Sequence, residues 1–174
     1  MIIKITNVNK VMRALWALAY LLLYRPSPIF MHKWRVFLLR IFGAKIESSC
    51  HPYPKAKIWA PWNLVMKEAS CIANYVDCYN VALVEIGKKS IVSQYSFLCT
   101  ASHNYNSKSF DLIASPIVIG DQSWVAAGVF VAPGVNISSR VVVYAKSVVL
   151  HNLNPGFVYG GYPARSIKRL EVDE

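Results

Sequence analysis

Between residues 119 and 149 a branched aliphatic side chain recurs at every sixth position: Ile119, Val125, Val131, Ile137, Val143 and Val149. Six is an even number, so these side chains share one face of an extended strand, whereas a helix would scatter them around its axis. The spacing predicts short strands joined by tight corners. Upstream the same count continues in groups of three: Ile46, Pro52 and Ile58, then Met66, Ile72 and Cys78, then Ile86, Val92 and Leu98. The first two breaks between groups add two residues each and the third, from Leu98 to Ile119, adds fifteen. Insertions at one corner of a three-sided coil give this pattern, and fifteen rungs make five coils.

Two positions before each rung stands a small or β-branched residue, Leu64 excepted, as a strand entering a tight corner requires. Pro52 is a weak rung that suits an end strand, where its missing N–H is not needed. Ahead of the coil, Trp34, Phe37, Leu38 and Ile41 follow i, i+3, i+4, i+7 spacing and predict an amphipathic helix with those residues as its packed face. Its expected task is to cap the open first coil, since a bare parallel edge invites aggregation. The preceding run, residues 11–24, is apolar but short for a bilayer span, carries Arg13 and meets Pro26 and Pro28; neither a spanning helix nor a cleaved signal is expected.

The periodic pattern resembles that of the hexapeptide-repeat acyltransferases. The strings RPSPIFMHKWRVFLLRIFGAKI, LCTASHNYNSKSFDLIASPIVIGD, APGVNI and GGYPARSIKR are similar to the colanic-acid-type polysaccharide O-acetyltransferases, from about residue 11 to residue 170. The resemblance implies an all-β fold, a left-handed parallel β-helix, with three parts. Residues 1–43 form a helical, basic, amphipathic cap, residues 44–151 the β-helix with a catalytic loop at 99–118, and residues 152–174 a turn and basic tail. The chain departs from the family pattern where Ala73, Ser93, Ala126 and Ala132 follow rungs at a common Gly position, and where Ser138, Ser139 and Arg140 replace a Gly-Asp turn.

The long interruption carries His103. Imidazole titrates near neutrality and can take a hydroxyl proton as the oxygen attacks a thioester; the resemblance implies that role for His103. It also implies acetyl-CoA as acyl donor, held by Ala127, Ala145, Leu150, His151, Arg165 and Lys168. The alanines would let a pantetheine arm approach the backbone, and the two cations would meet nucleotide phosphate. Trp124, Asp77 and Asn80 are candidates for the acceptor, a sugar or exopolysaccharide precursor hydroxyl, free or lipid-linked. The family habit is a homotrimer.

The chain has 174 residues and is 55% hydrophobic, enough for one domain with a continuous core. Its net charge of +10 is uneven, with +9 in residues 1–57 and +1 in the remainder. A basic leader beside apolar residues suits anionic lipid, so peripheral contact at the inner face of a membrane is an expectation; no nucleic-acid motif accompanies the charge. Cys50, Cys71, Cys78 and Cys99 lack C-x-x-C pairing, which favours reduced thiols and a cytoplasmic compartment. Two other readings of the period remain open here: a non-catalytic scaffold, and a zinc hydratase of the γ-carbonic-anhydrase type. The second needs clustered imidazoles, and only His32, His51, His103 and His151 exist, with none closely spaced. No metal is expected.

Overall fold

The computed structural model describes Ile2 and residues 6–171. The rungs stack into three walls of parallel strands. In the first wall Ile46, Met66, Ile86, Ile119 and Ile137 lie in register. The second wall aligns Pro52, Ile72, Val92, Val125 and Val143. The third aligns Ile58, Cys78, Leu98, Val131 and Val149. All of these side chains point into the prism and are buried. The residues two places earlier are buried as well. The serines among them tie one turn of the coil to the next: Ser90 Oγ donates to Gly120 O at 2.6 Å and Ser123 Oγ to Ser138 O at 2.9 Å. A small hydroxyl both fits the corner and satisfies a carbonyl that water cannot reach.

The coil runs past the expected five turns. Leu153 bridges in parallel to Ile137, and Val158 and Tyr159 pair with Val142 and Val143, adding a partial sixth turn. Leu153 follows Val149 by four positions rather than six, so a six-residue count loses the thread there. The strand Phe157–Gly161 then reverses into the antiparallel strand Ala164–Arg169. The described part of the expected turn and tail is therefore the last piece of wall and its edge.

At the other end sit two helices, α1 (Asn7–Ala19), prolonged by a π-helical turn over Tyr20–Tyr24, and α2 (His32–Ile41). Thr6 caps α1 by accepting a hydrogen bond from Asn9 N at 3.2 Å. These helices close the first coil in a specific way. Each first-coil rung has a carbonyl with no strand above it, and each receives a side-chain donor. Arg40 Nε donates to Ile46 O at 2.7 Å, Arg35 Nε to Pro52 O at 2.6 Å, and Trp16 Nε1 to Ile58 O at 2.7 Å. Buried carbonyls must be paired, so the edge selects donors.

That selection overturns half of the expected packing face of α2: Leu38 is buried and Trp34 packs against the core as expected, but Phe37 and Ile41 do not. The helix buries Arg35, Val36, Leu38 and Leu39, while Phe37 and Ile41 are 52% and 60% exposed. Arg35 is wholly buried, its guanidinium also donating to Pro28 O, Ile29 O and Ser27 Oγ. Turning Arg35 inward rotates Phe37 and Ile41 out.

Candidate active site

The fifteen-residue insertion leaves the corner between the third and first walls as an antiparallel hairpin, Ala101–His103 against Leu112–Ala114. Its base packs on the body of the molecule through Ala101, Ala114 and Val81, with Trp59 and Tyr79 against them. Ile2 adds an antiparallel bridge to Ile113. His103 ends the first strand of the hairpin and is exposed. Its ring stacks on Phe110 with centroids 4.7 Å apart and planes 13° from parallel. Nδ1 lies 2.9 Å from Phe110 O. A carbonyl can only accept, so Nδ1 is the donor and, in the neutral ring, Nε2 is the nitrogen with the lone pair. Phe110 itself has φ 47°, a left-handed conformation uncommon for a bulky side chain. The same residue thus supplies the face and the carbonyl that hold the imidazole. Nothing in the spacing of the sequence singled Phe110 out.

A second group of expected residues gathers on the outer face of the second wall and its next corner. Trp124 points outward beside Val125, 47% exposed, and its Nε1 donates to Ser93 Oγ at 2.8 Å. Ala127 and Ala145 stack one coil apart at the corner between the second and third walls, with Lys146 N donating to Ala127 O at 2.9 Å. Arg165 and Lys168 lie three residues apart, a spacing that in a plain strand would send them to opposite faces. A bulge intervenes: Arg165 pairs with Gly160 and Lys168 with Val158, leaving Ile167 as the extra residue. Gly160 and Val158 are two apart, so both cations share the outward face with Trp124. Tyr144, 44% exposed on this wall, joins them and was missed in the sequence. A side chain at Gly160 would meet Ile167 and the Tyr144 ring, which explains the glycine.

The other expected residues separate. Leu150 and His151 are exposed at the same corner as the hairpin, further along the coil. Asp77 faces outward on the third wall, 3.0 Å from Lys57 Nζ. Asn80 is fully buried: its amide receives Ala60 N at 2.9 Å and donates to Ala60 O and Asn63 O at 2.7 and 3.1 Å. It holds the small insertion of the first coil and turns no atom outward, which removes it from acceptor contact. Within one chain, then, His103 and the second-wall group occupy different corners.

His32 and His51, distant in sequence, come together with ring centroids 4.9 Å apart. Burial, followed by the nearby Arg35 and His51 charges, holds the His32 imidazole below its ordinary value, against an opposing pull from Pro52 O. Among the described residues no three His, Cys, Asp or Glu side chains cluster as metal ligands, and the four cysteines are free. Burial raises the Cys71 thiol to about 11.

No family model matches the chain. Over 166 residues, 95% of this chain and 91% of the relative, it is 40% identical to the colanic acid biosynthesis acetyltransferase WcaF of Escherichia coli K12. A maltose O-acetyltransferase from Clostridium difficile 630 superposes with TM-score 0.85 at 26% identity, covering 96% of this chain and 90% of that one. The hexapeptide-repeat acetyltransferase VCA0836 of Vibrio cholerae, solved in complex with acetyl coenzyme A, superposes with TM-score 0.84 at 27% identity, covering 96% and 91%. With three stacked walls, a hairpin bearing one imidazole and identity to WcaF along nearly its whole length, the chain is a left-handed parallel β-helix and belongs to the hexapeptide-repeat acetyltransferases of the colanic-acid type.

Proposed function

We propose that the protein transfers an acetyl group from acetyl-CoA to a hydroxyl of a sugar or exopolysaccharide precursor, with His103 as general base. The observation that carries this reading is the hydrogen bond from Nδ1 to Phe110 O, which leaves Nε2 as the proton acceptor in an exposed position. Nε2 takes the proton of the acceptor hydroxyl while the oxygen forms its bond to the thioester carbonyl carbon. Collapse of the tetrahedral intermediate breaks the carbon–sulfur bond, and the imidazolium returns the proton to the departing thiolate.

The outward second wall supports the donor assignment. Arg165 and Lys168 on one face suit phosphate groups, and the stacked Ala127 and Ala145 leave backbone within reach of a pantetheine arm. Leu150 and His151 sit at the His103 corner, so they and the second-wall group meet one donor only across two copies of the chain. A homotrimer with its sites between subunits fits this separation. The outward rows agree over the later coils: there the first wall presents Glu85, Val118 and Asn136, the second Ile91, Trp124 and Val142, and the third Phe97, Phe130 and Val148, the last two rows being apolar and suited to cover by a neighbour. Trp124 and Asp77 are the acceptor-side candidates, and whether the sugar is free or lipid-linked is a matter for substrate trials.

His103→Ala is expected to lower kcat by about 10² to 10⁴, with acetyl-CoA affinity by calorimetry unchanged. Turnover equal to the parent protein would refute the base. Loss of CoA binding in Arg165→Ala/Lys168→Ala tests the donor site separately.

A further inference from the structure

The cap is apolar on the wrong side for a soluble lid. Opposite the buried Trp16, helix α1 and its π-helical turn present Val8, Val11, Leu15, Leu18 and Leu22, spaced three, four, three and four residues apart. They are 73%, 59%, 52%, 57% and 63% exposed. Helix α2 adds Phe37 and Ile41, and Ile41 shares an open groove with Met12, Leu15, Leu18 and Leu22. This continuous patch exceeds the scattered apolar exposure of an ordinary surface.

Charge identifies what covers it. No Asp or Glu occurs before Glu47. Arg35 and Arg40 are turned to carbonyls of the first coil, and the Arg13 guanidinium lies 4.0 Å over the Trp59 ring. Lys10, Arg25 and Lys33 on the cap and Lys45 on the first coil remain exposed. A second copy packing on this stripe by a twofold axis would set an acid-free cationic surface against itself, which is repulsive. An anionic bilayer offers hydrocarbon to the aliphatic stripe and phosphate to the exposed cations of the same cap. Among the described residues no helix is long and apolar enough to cross a membrane, so the helix would lie in the interface.

We infer that the helical cap is a membrane-docking face, seating α1 on the surface of an anionic lipid bilayer with the β-helix standing away from it. Docking is read without acetyl-CoA or acceptor, so its outcome is independent of the acetyl-transfer reading. The test is flotation of the full chain with phosphatidylglycerol/phosphatidylcholine vesicles and with phosphatidylcholine vesicles alone. The protein should float with the anionic vesicles, and its partitioning should fall about tenfold or more on neutral ones or in high salt. Leu15→Ser/Leu18→Ser/Leu22→Ser should lower it by about a hundredfold with circular dichroism and sedimentation coefficient unchanged. Lys10→Gln/Lys33→Gln, at two exposed positions, should lower it about twenty-fivefold and decides the matter if the serine variant fails to fold. Absence of the parent protein from the floated fraction, serine and charge variants that float like the parent, or a serine variant that changes the oligomer's size would overturn the inference, the last by making the stripe an interface between copies.

Discussion

The β-helix and its cap solve opposite problems with opposite chemistry. Inside the prism every coil meets a near-copy of itself, so one kind of side chain, a buried apolar one and most often a branched aliphatic, serves at each rung. The cap meets a ring of carbonyls with no strand above them, so what it must supply is donors, and Arg35, Arg40 and Trp16 supply them. Repetition holds the coil, while individual hydrogen bonds hold the cap. Because part of the cap's inward face is given to donors, beside Val36, Leu38 and Leu39, many of its other aliphatic residues face outward.

The sharpest way to break this contrast is Arg35→Met. The substitution keeps apolar bulk and removes the guanidinium donors to Pro52 O, Pro28 O and Ile29 O, leaving Pro52 O with His32 Nδ1 at 3.2 Å and Pro28 O with Met31 N at 3.0 Å. Each lost hydrogen bond from the charged guanidinium costs about 1.5–3 kcal/mol, and the remaining donors and water repair part of this, so a loss of about 4 kcal/mol is expected in denaturant unfolding. Amide exchange should show protection lost first in residues 6–46, with the later coils retaining theirs. Uniform loss across the molecule would mean that the cap and coil unfold as one unit.

A slightly smaller effect is expected inside. Leu98→Ala removes a fully buried rung between Cys78 and Val131, and rigid neighbouring coils cannot collapse into the gap, so the loss is about 3 kcal/mol. The matched change on the outer cap, Leu18→Ser, should stay within about 0.5 kcal/mol by the same measurement. If Leu18→Ser costs as much as Leu98→Ala, the outer stripe is packed in solution and the distinction between the two regions fails.

The same contrast explains what could be read beforehand. The walls were legible because a repeated environment leaves a repeated residue type, down to Pro52, whose missing N–H would have faced the open edge. Coil count failed only at Leu153, where a corner is shortened by two residues. The α2 face holds at Trp34 and Leu38 and fails at Phe37 and Ile41, because hydrophobic spacing has no sign for a helix whose partner is a row of carbonyls; Arg35 looked like a solvent residue. In the site, His103 could be named from its place in the interruption. Phe110, which orients it, lies seven residues away across a hairpin, and the common face of Arg165 and Lys168 depends on a bulge that spacing alone contradicts. Asn80 looked like a ligand contact because an amide beside an insertion suits either solvent or backbone, and only the fold shows that it serves the backbone.

The smallest effect lies at the seam between the two regions. His32 projects from α2 toward the first coil, its Nδ1 3.2 Å from Pro52 O and 3.1 Å from Arg35 Nη2. The rings of His51 and Tyr53 also face it. Burial and the adjoining charges lower its proton affinity in the folded state. Above its ordinary value near 6.5 both folded and unfolded chains hold it neutral, and it contributes no pH dependence. As pH falls through that value the unfolded chain takes up the proton first, so stability declines until the folded-state value is passed. Thermal unfolding of the parent protein should therefore show a falling midpoint from pH 7 toward pH 5, and His32→Gln should flatten that slope while leaving the pH 7 midpoint nearly in place. A slope unchanged by His32→Gln would move the titration to another group and leave the seam between cap and coil indifferent to protons.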